Sequence, residues 1–195
     1  MSDDLLKQLT CIDYEDYGTL QVSSVESKDR DLLILLDVIA DEGPEIPKNI
    51  RLTCHSVRES NLAPGYYENL TIANDHVLLW HYTQPYALTS FYGSAADPLA
   101  LVGALFERHV DLVGNWIPFQ KYLNSDLRLS ELIGGSFGML ANGPEQLIFA
   151  YEEVMRAHGV STSHHKSARP LDASLSVIIF DESYVIAERL EANGI

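Results

Sequence analysis

Cysteine is scarce in this 195-residue chain: Cys11 and Cys54 stand alone, in no Cys-x-x-Cys spacing. That excludes a disulfide framework and gives a zinc knuckle no support, so both thiols are expected to pack as small apolar side chains. Basic residues are scarce as well, 13 Lys and Arg against 28 Asp and Glu, for a formal net charge of −15. The deficit is uneven, because residues 1–50 hold 12 acids and 4 bases and so supply −8 of that total. Such a field repels phosphate backbones and anionic lipid and attracts cations, which argues against nucleic acid and membrane as ligands and for a basic protein partner. No uninterrupted apolar run is longer than Leu32–Leu36, far short of the roughly 18 residues of a spanning helix. The start, Met1-Ser2-Asp3-Asp4, lacks the basic and apolar stretches of a secretory signal, so a cytoplasmic location is expected. Repeats, low-complexity tracts and long linkers are also missing, and one compact domain over residues 1–195 is the simplest organisation.

Apolar residues make up 46% of the chain, enough for a full core. The first half reads as strands. A short helix is expected around Leu5–Leu9 and a weakly alternating strand over Thr19–Val25. Asp31–Ile39 is a β-compatible apolar run broken by Asp41-Glu42-Gly43-Pro44, the pattern of a buried strand near a sheet centre. Over Asn49–Val57, Ile50, Leu52 and Cys54 alternate with Arg51, Thr53 and His55, the period of a half-covered strand. Tyr66–Ile72 and His76–Thr83 flank Ala73-Asn74-Asp75, whose Asn-Asp pair suits a tight hairpin turn. Tyr86–Tyr92 follows Gln84-Pro85 as a third strand.

That register sorts side chains onto two faces. Leu70, Ile72, Val77, Leu79 and Leu88 go to the core together with Ile50, Leu52 and Cys54. The reverse face carries Tyr67, Asn69, Thr71, Leu78, Trp80, Tyr82, Thr89 and Phe91, with Arg51 and His55 beside them, and sets Glu68 opposite His81. Rings with polar tips interleaved with hydrogen-bonding groups have the composition of a recognition surface, the alternative being that a helix or the C-terminal segment covers this face. The candidate binding residues are therefore Arg51, His55, Tyr67, Asn69, Trp80 and Tyr82.

After residue 97 the period changes. Asp97-Pro98 is a helix start, followed by apolar residues at Leu99, Val102, Phe106, Val110 and Val113 before Gly114. Asn142-Gly143-Pro144-Glu145 opens a second helix with Leu147, Tyr151, Val154 and Met155 as its stripe and His158-Gly159 as its close. Short helices are expected over Trp116–Asn124 and Ser125–Ile133. At the C-terminus, Leu175–Phe180 and Tyr184–Leu190 favour a hairpin, with a final helix as the alternative for the second arm. The fold class is α+β: a mainly antiparallel sheet from the N-terminal half (strand-rich 19–92) plus C-terminal strands (174–190), with helices of residues 97–158 packed chiefly on one face.

Motifs that specify a reaction are missing. Gly134-Gly135-Ser136-Phe137-Gly138 has neither the Lys-Ser/Thr ending of a phosphate loop nor the dinucleotide spacing, and no serine sits in a Gly-x-Ser-x-Gly elbow. His164-His165-Lys166 lies in an acid-free stretch that reads as a solvated loop, with an anion site or a loop clamped by the acidic N-terminal region as alternatives. Metal ligation is disfavoured because adjacent histidines cannot easily point at one ion. No catalytic residue, cofactor or metal is expected. The functional expectation is a noncatalytic binding protein of immunity, antitoxin or adaptor type that recognises a basic protein. The alternative is an enzyme or small-ligand receptor with Arg51, His55, His81 and Glu68 in a pocket between sheet and helices.

Overall fold

The computed structural model describes residues 2–40, 45–126, 129 and 134–195. Its architecture is α+β with antiparallel sheets, as the sequence pattern leads one to expect. The chain divides into two compact units, one of Met1–Leu79 with Ser174–Ile195 and the other of Trp80–Ala173. Among the described residues no helix is long and apolar enough to cross a membrane.

In the first unit, helices α1 (Ser2–Leu9) and α2 (Tyr14–Tyr17) precede β1 (Gly18–Lys28) and β2 (Asp31–Ala40). A two-residue turn joins these strands, and Asp29 takes a φ of 55°, a left-handed value that Asp tolerates better than most residues. With β3 (Asn49–His55), β5 (Gly65–Tyr67) and β12 (Arg189–Gly194) they form a sheet ordered β12-β3-β2-β1-β5. β2 is central, and its apolar run resolves into alternation: Leu32, Ile34, Leu36 and Val38 are buried while Ile39 is exposed. Ile50, Leu52 and Cys54 are fully buried, so the alternation expected in β3 holds. A second sheet, β4-β11-β10-β6, comprises β4 (Glu59–Ser60), β6 (Leu70–Ala73), β10 (Ser176–Phe180) and β11 (Ser183–Ala187). The C-terminal pair is a hairpin, as favoured. Ile178, Phe180, Val185 and Ala187 join Leu20, Val22 and the β2 and β3 side chains in one core, and burial of each large aliphatic contributes about 1.5–3 kcal/mol.

The second unit has α3 (Trp80–Thr83), β7 (Tyr86–Tyr92), α4 (Pro98–Val113), β8 (Phe137–Pro144), α5 (Glu145–Ala157) and β9 (Ser161–Ser167). β7 is the middle strand of β8-β7-β9 and runs antiparallel to both neighbours. α5 packs on this sheet and α4 on α5. The Asp97 side chain caps α4 by accepting from the Leu99 and Ala100 amides, each at 3.0 Å.

Several expectations fail in the middle of the chain. The hairpin about Asn74-Asp75 does not form. Tyr66 and Tyr67 extend the first sheet through β1, Leu70–Ala73 pairs with β10 in the second, Val77–Leu79 is a 3₁₀ turn and Trp80–Thr83 is helical. Local bonds win here: the Leu78 amide donates to His76 Nδ1 at 3.3 Å and the Leu79 amide to the His76 carbonyl at 2.9 Å, which winds the backbone instead of extending it. His81 is therefore helical and not a cross-strand partner in the expected hairpin, and its Nδ1 meets the Tyr86 hydroxyl. Leu79 and Trp80 are both buried, at 1% and 9% exposure, so the alternation that was to expose the indole is absent. The parity of β7 is inverted as well: Ala87, Thr89 and Phe91 are buried under the helices and Leu88 is half-buried.

Other differences lie in the second unit. α4 buries Leu101, Leu105, His109 and Val113, while Leu99, Phe106 and Val110 are exposed. Nearly the whole of this helix is apolar, and His109 decides its rotation: Nε2 donates to the Ile117 carbonyl at 2.6 Å, leaving Nδ1 to accept from the Tyr151 hydroxyl at 2.7 Å. α5 starts at Glu145 because Asn142-Gly143-Pro144 closes β8, though Leu147, Tyr151 and Met155 are buried as its stripe requires. β9 is a strand rather than a solvated loop, since all seven of its residues pair with β7. Phe119–Lys121 is a 3₁₀ turn within the first expected short helix. The second, Ser125–Ile133, lies largely outside the described residues.

Candidate binding site

An open pocket of about 610 Å³ in the first unit is lined by Tyr14, Gly18 and Thr19, by Tyr66, Tyr67 and Glu68, and by Asp181, Glu182 and Ser183. Three local structures build it. Asp13 caps α2 by accepting from the Glu15 and Asp16 amides at 3.2 Å, which delivers the chain into β1. Gly18 is required at that entry, because a Cβ there would lie 2.7 Å from the Ile39 carbonyl oxygen. Tyr14 is buried, its hydroxyl donates to the Leu9 carbonyl at 2.9 Å, and desolvation raises its pKa above the ordinary tyrosine range.

The opposite wall is set by Asp181, in the β10–β11 turn with φ 49°. Its carboxylate accepts from the Glu68 amide at 3.0 Å, the Asn69 amide at 2.9 Å and the Asn69 side-chain amide at 3.2 Å. These bonds separate β5 from β6 and hold Tyr66-Tyr67-Glu68 over the pocket. Tyr67 packs tilted on Phe180 at 5.4 Å between ring centroids and donates its hydroxyl to the Ala63 carbonyl at 2.7 Å. Tyr66 is 72% exposed. Among the described residues, no cation engages the Glu68 or Glu182 carboxylate, and both side chains are exposed.

The six sequence candidates do not share one face. Tyr67 lines the pocket and Asn69 shapes it through Asp181. Arg51 and His55 sit together on the outward side of β3, away from that pocket, while Trp80 and Tyr82 belong to the second unit. His55 Nδ1 donates to Asp31 at 2.8 Å and Nε2 faces Glu191 at 3.5 Å, with Arg189 3.3 Å from the same Glu191. The Asp31 carboxyl is held below its ordinary range, first by the Ser56 amide at 3.0 Å and then by His55. This arrangement clips the ends of β2, β3 and β12 together. Cys54, on the buried side of the same strand, has its thiol pushed up to about 12 by burial and is not poised as a nucleophile.

The basic stretch of β9 is neutralised from within. His164 Nδ1 donates to the buried Glu152 at 2.9 Å, and Nε2 lies 3.4 Å from Glu145, which also takes Lys166 Nζ at 2.9 Å. The acids come from α5, not from the N-terminal region, and Phe149 stacks on the imidazole at 4.5 Å. An anion site has little to work with there. Among the described residues no group of three or more His, Cys, Asp or Glu could hold a metal ion.

Comparison of the chain with protein-family models, with curated proteins and with solved structures finds no match in any of the three. What the sequence reading missed in the pocket is its far wall. Glu68 follows β5 and Asp181-Glu182 forms the β10–β11 turn, but 113 residues separate Glu68 from Asp181, and only the β-rich composition of the C-terminal hairpin hinted at where that turn would lie.

Proposed function

We propose that this protein is a noncatalytic binding protein that holds a basic protein partner, with an arginine or lysine of the partner seated in the pocket between Tyr66 and the Glu68 and Glu182 carboxylates. The observation that carries the reading is this pair of unengaged carboxylates beside a ring that is 72% exposed. An aromatic face and a carboxylate attract the same cation by different terms, and a cation over an exposed ring gains about 0.5–1 kcal/mol. The net charge of −15, concentrated toward the N-terminus, adds long-range steering that screening weakens. Of the residues named for the receptor alternative, Glu68 lines this pocket and Arg51 and His55, in the same unit, do not.

Affinity capture from lysate at low and high salt, followed by titration of the captured basic protein, tests the proposal. Tyr66→Ala and the pair Glu68→Gln/Glu182→Gln should each weaken binding. Charge reversal at Glu15 and Asp16 should slow association and flatten its salt dependence. Asp13 is unsuitable for reversal because its carboxylate caps α2. Binding of wild type and of the pocket variants with the same affinity would remove the pocket from the account.

A further inference from the structure

Helix α4 carries its strongest apolar spacing on the outside. Leu99, Val102, Phe106 and Val110 recur at three- and four-residue intervals, and Leu99, Phe106 and Val110 are 75%, 51% and 37% exposed. Phe119 meets Phe106 edge-on at 5.5 Å, and with Val102 and Leu123 these rings line a groove of about 630 Å³. Contiguous apolar surface of this kind marks a contact site more often than chance exposure does.

Gly103 lies within this stripe and is exposed. A Cβ at this position would meet nothing within 4 Å. Glycine weakens a helix interior, and here the missing side chain makes room for nothing in the chain itself. It leaves a notch in the stripe where a second helix axis can approach closely. Two exposed acids, Glu107 and Asp111, lie on the solvent side of α4. Arg108, the only arginine or lysine of the helix, is drawn off by Glu153 at 3.3 Å.

We propose that the outer face of α4 is a docking groove for a basic amphipathic helix of a partner protein. Apolar side chains of that helix fill the spaces around Phe106 and the Gly103 notch, and its lysines or arginines face Glu107 and Asp111. Charge decides between this occupant and a second copy of the chain, because a copy would bring the same acids and the same net charge of −15, and its one α4 cation, Arg108, is already paired with Glu153.

The test uses three synthetic peptides and the full chain, with binding read by fluorescence anisotropy. One peptide has leucines at three- and four-residue spacing with lysine flanks, the second has the same composition with the spacing scrambled, and the third has glutamate flanks. The first should bind at least about tenfold more tightly than either control. Gly103→Leu and Phe106→Ser should each weaken it by about tenfold or more while far-UV circular dichroism stays unchanged. Glu107→Lys with Asp111→Lys should shift preference to the glutamate-flanked peptide. Equal binding of the scrambled peptide would reduce the effect to bulk charge and overturn the proposal, as would Gly103→Leu binding like wild type. A wild-type dimer, seen by light scattering and dissolved by Phe106→Ser with no peptide binding, would assign the face to a second copy instead.

Discussion

Tyr151→Phe removes one oxygen from a fully buried ring and tests what orients α4. His109 is 2% exposed and Tyr151 0%, so water cannot replace the hydroxyl that donates to His109 Nδ1. The substitution leaves little cavity, and its cost is that of one unpaired buried acceptor, about 1–3 kcal/mol. His109→Leu strands the Tyr151 hydroxyl and the Ile117 carbonyl together and should cost more. The double substitution strands only Ile117, so the two changes should couple by about 1–2 kcal/mol. Burial also lowers the His109 pKa. The unfolded state then binds more protons below the ordinary histidine value of about 6.5, and stability must fall as pH drops through that value, with a slope of at most about 1.4 kcal/mol per pH unit. Intrinsic fluorescence suits the measurement, since Trp80 and Trp116 are the only tryptophans and both lie in the same unit as the pair. The depressed pKa of Glu145 acts in the same unit but in a lower window, below the ordinary glutamate range. Urea titrations at pH values between about 5 and 7 should show the slope in wild type and a smaller one in His109→Leu, where His76, also lowered by burial, accounts for the remainder. A slope unchanged by His109→Leu, or no measurable coupling in the cycle, would refute this account of the pair.

Gly143→Ala should destabilise the second unit by several kcal/mol, because the new Cβ would lie 2.7 Å from the Tyr122 ring. Gly103→Ala, in open space within α4, should stabilise it by about 0.5–1 kcal/mol in the same denaturation assay. A thiol reagent at neutral pH should modify Cys11 at once in the folded protein and Cys54 only on unfolding, with mass spectrometry locating the label. Asp31 has a depressed folded pKa, so its stabilisation is present above the ordinary aspartate range and is lost as pH falls through the lower folded value. Asp31→Asn should remove that acid-sensitive component of the first unit, as followed by circular dichroism.

Elements whose signal is local were legible. Asp97-Pro98 and Gly114 bound α4 because caps act within one turn, and β3 alternates as written because Ile50, Leu52 and Cys54 face one core. Tyr67 lines the pocket and Asn69 bonds Asp181 beside it, contacts that the expected hairpin did not contain. Where two local patterns competed, the weaker-looking one sometimes won. Asn74-Asp75 suits a turn, but His76 offers Leu78 and Leu79 hydrogen bonds that wind the chain. β9 was hidden because Ser, His and Lys, which make up most of it, carry little strand signal, and only the open edge of β7 makes a strand of them.

Composition, charge sign, the α+β class and the ends of α4 were settled by the sequence alone, since each depends on residues within a few positions or on a simple sum. Tertiary structure decided which strand pairs with which, which side of an almost wholly apolar α4 turns inward, and that the Asp181 turn meets Glu68 and Asn69. Those outcomes rest on contacts between residues far apart in the chain, and the free energy separating two packings of one helix is set by partners such as Tyr151, 42 residues from His109, that no local window contains.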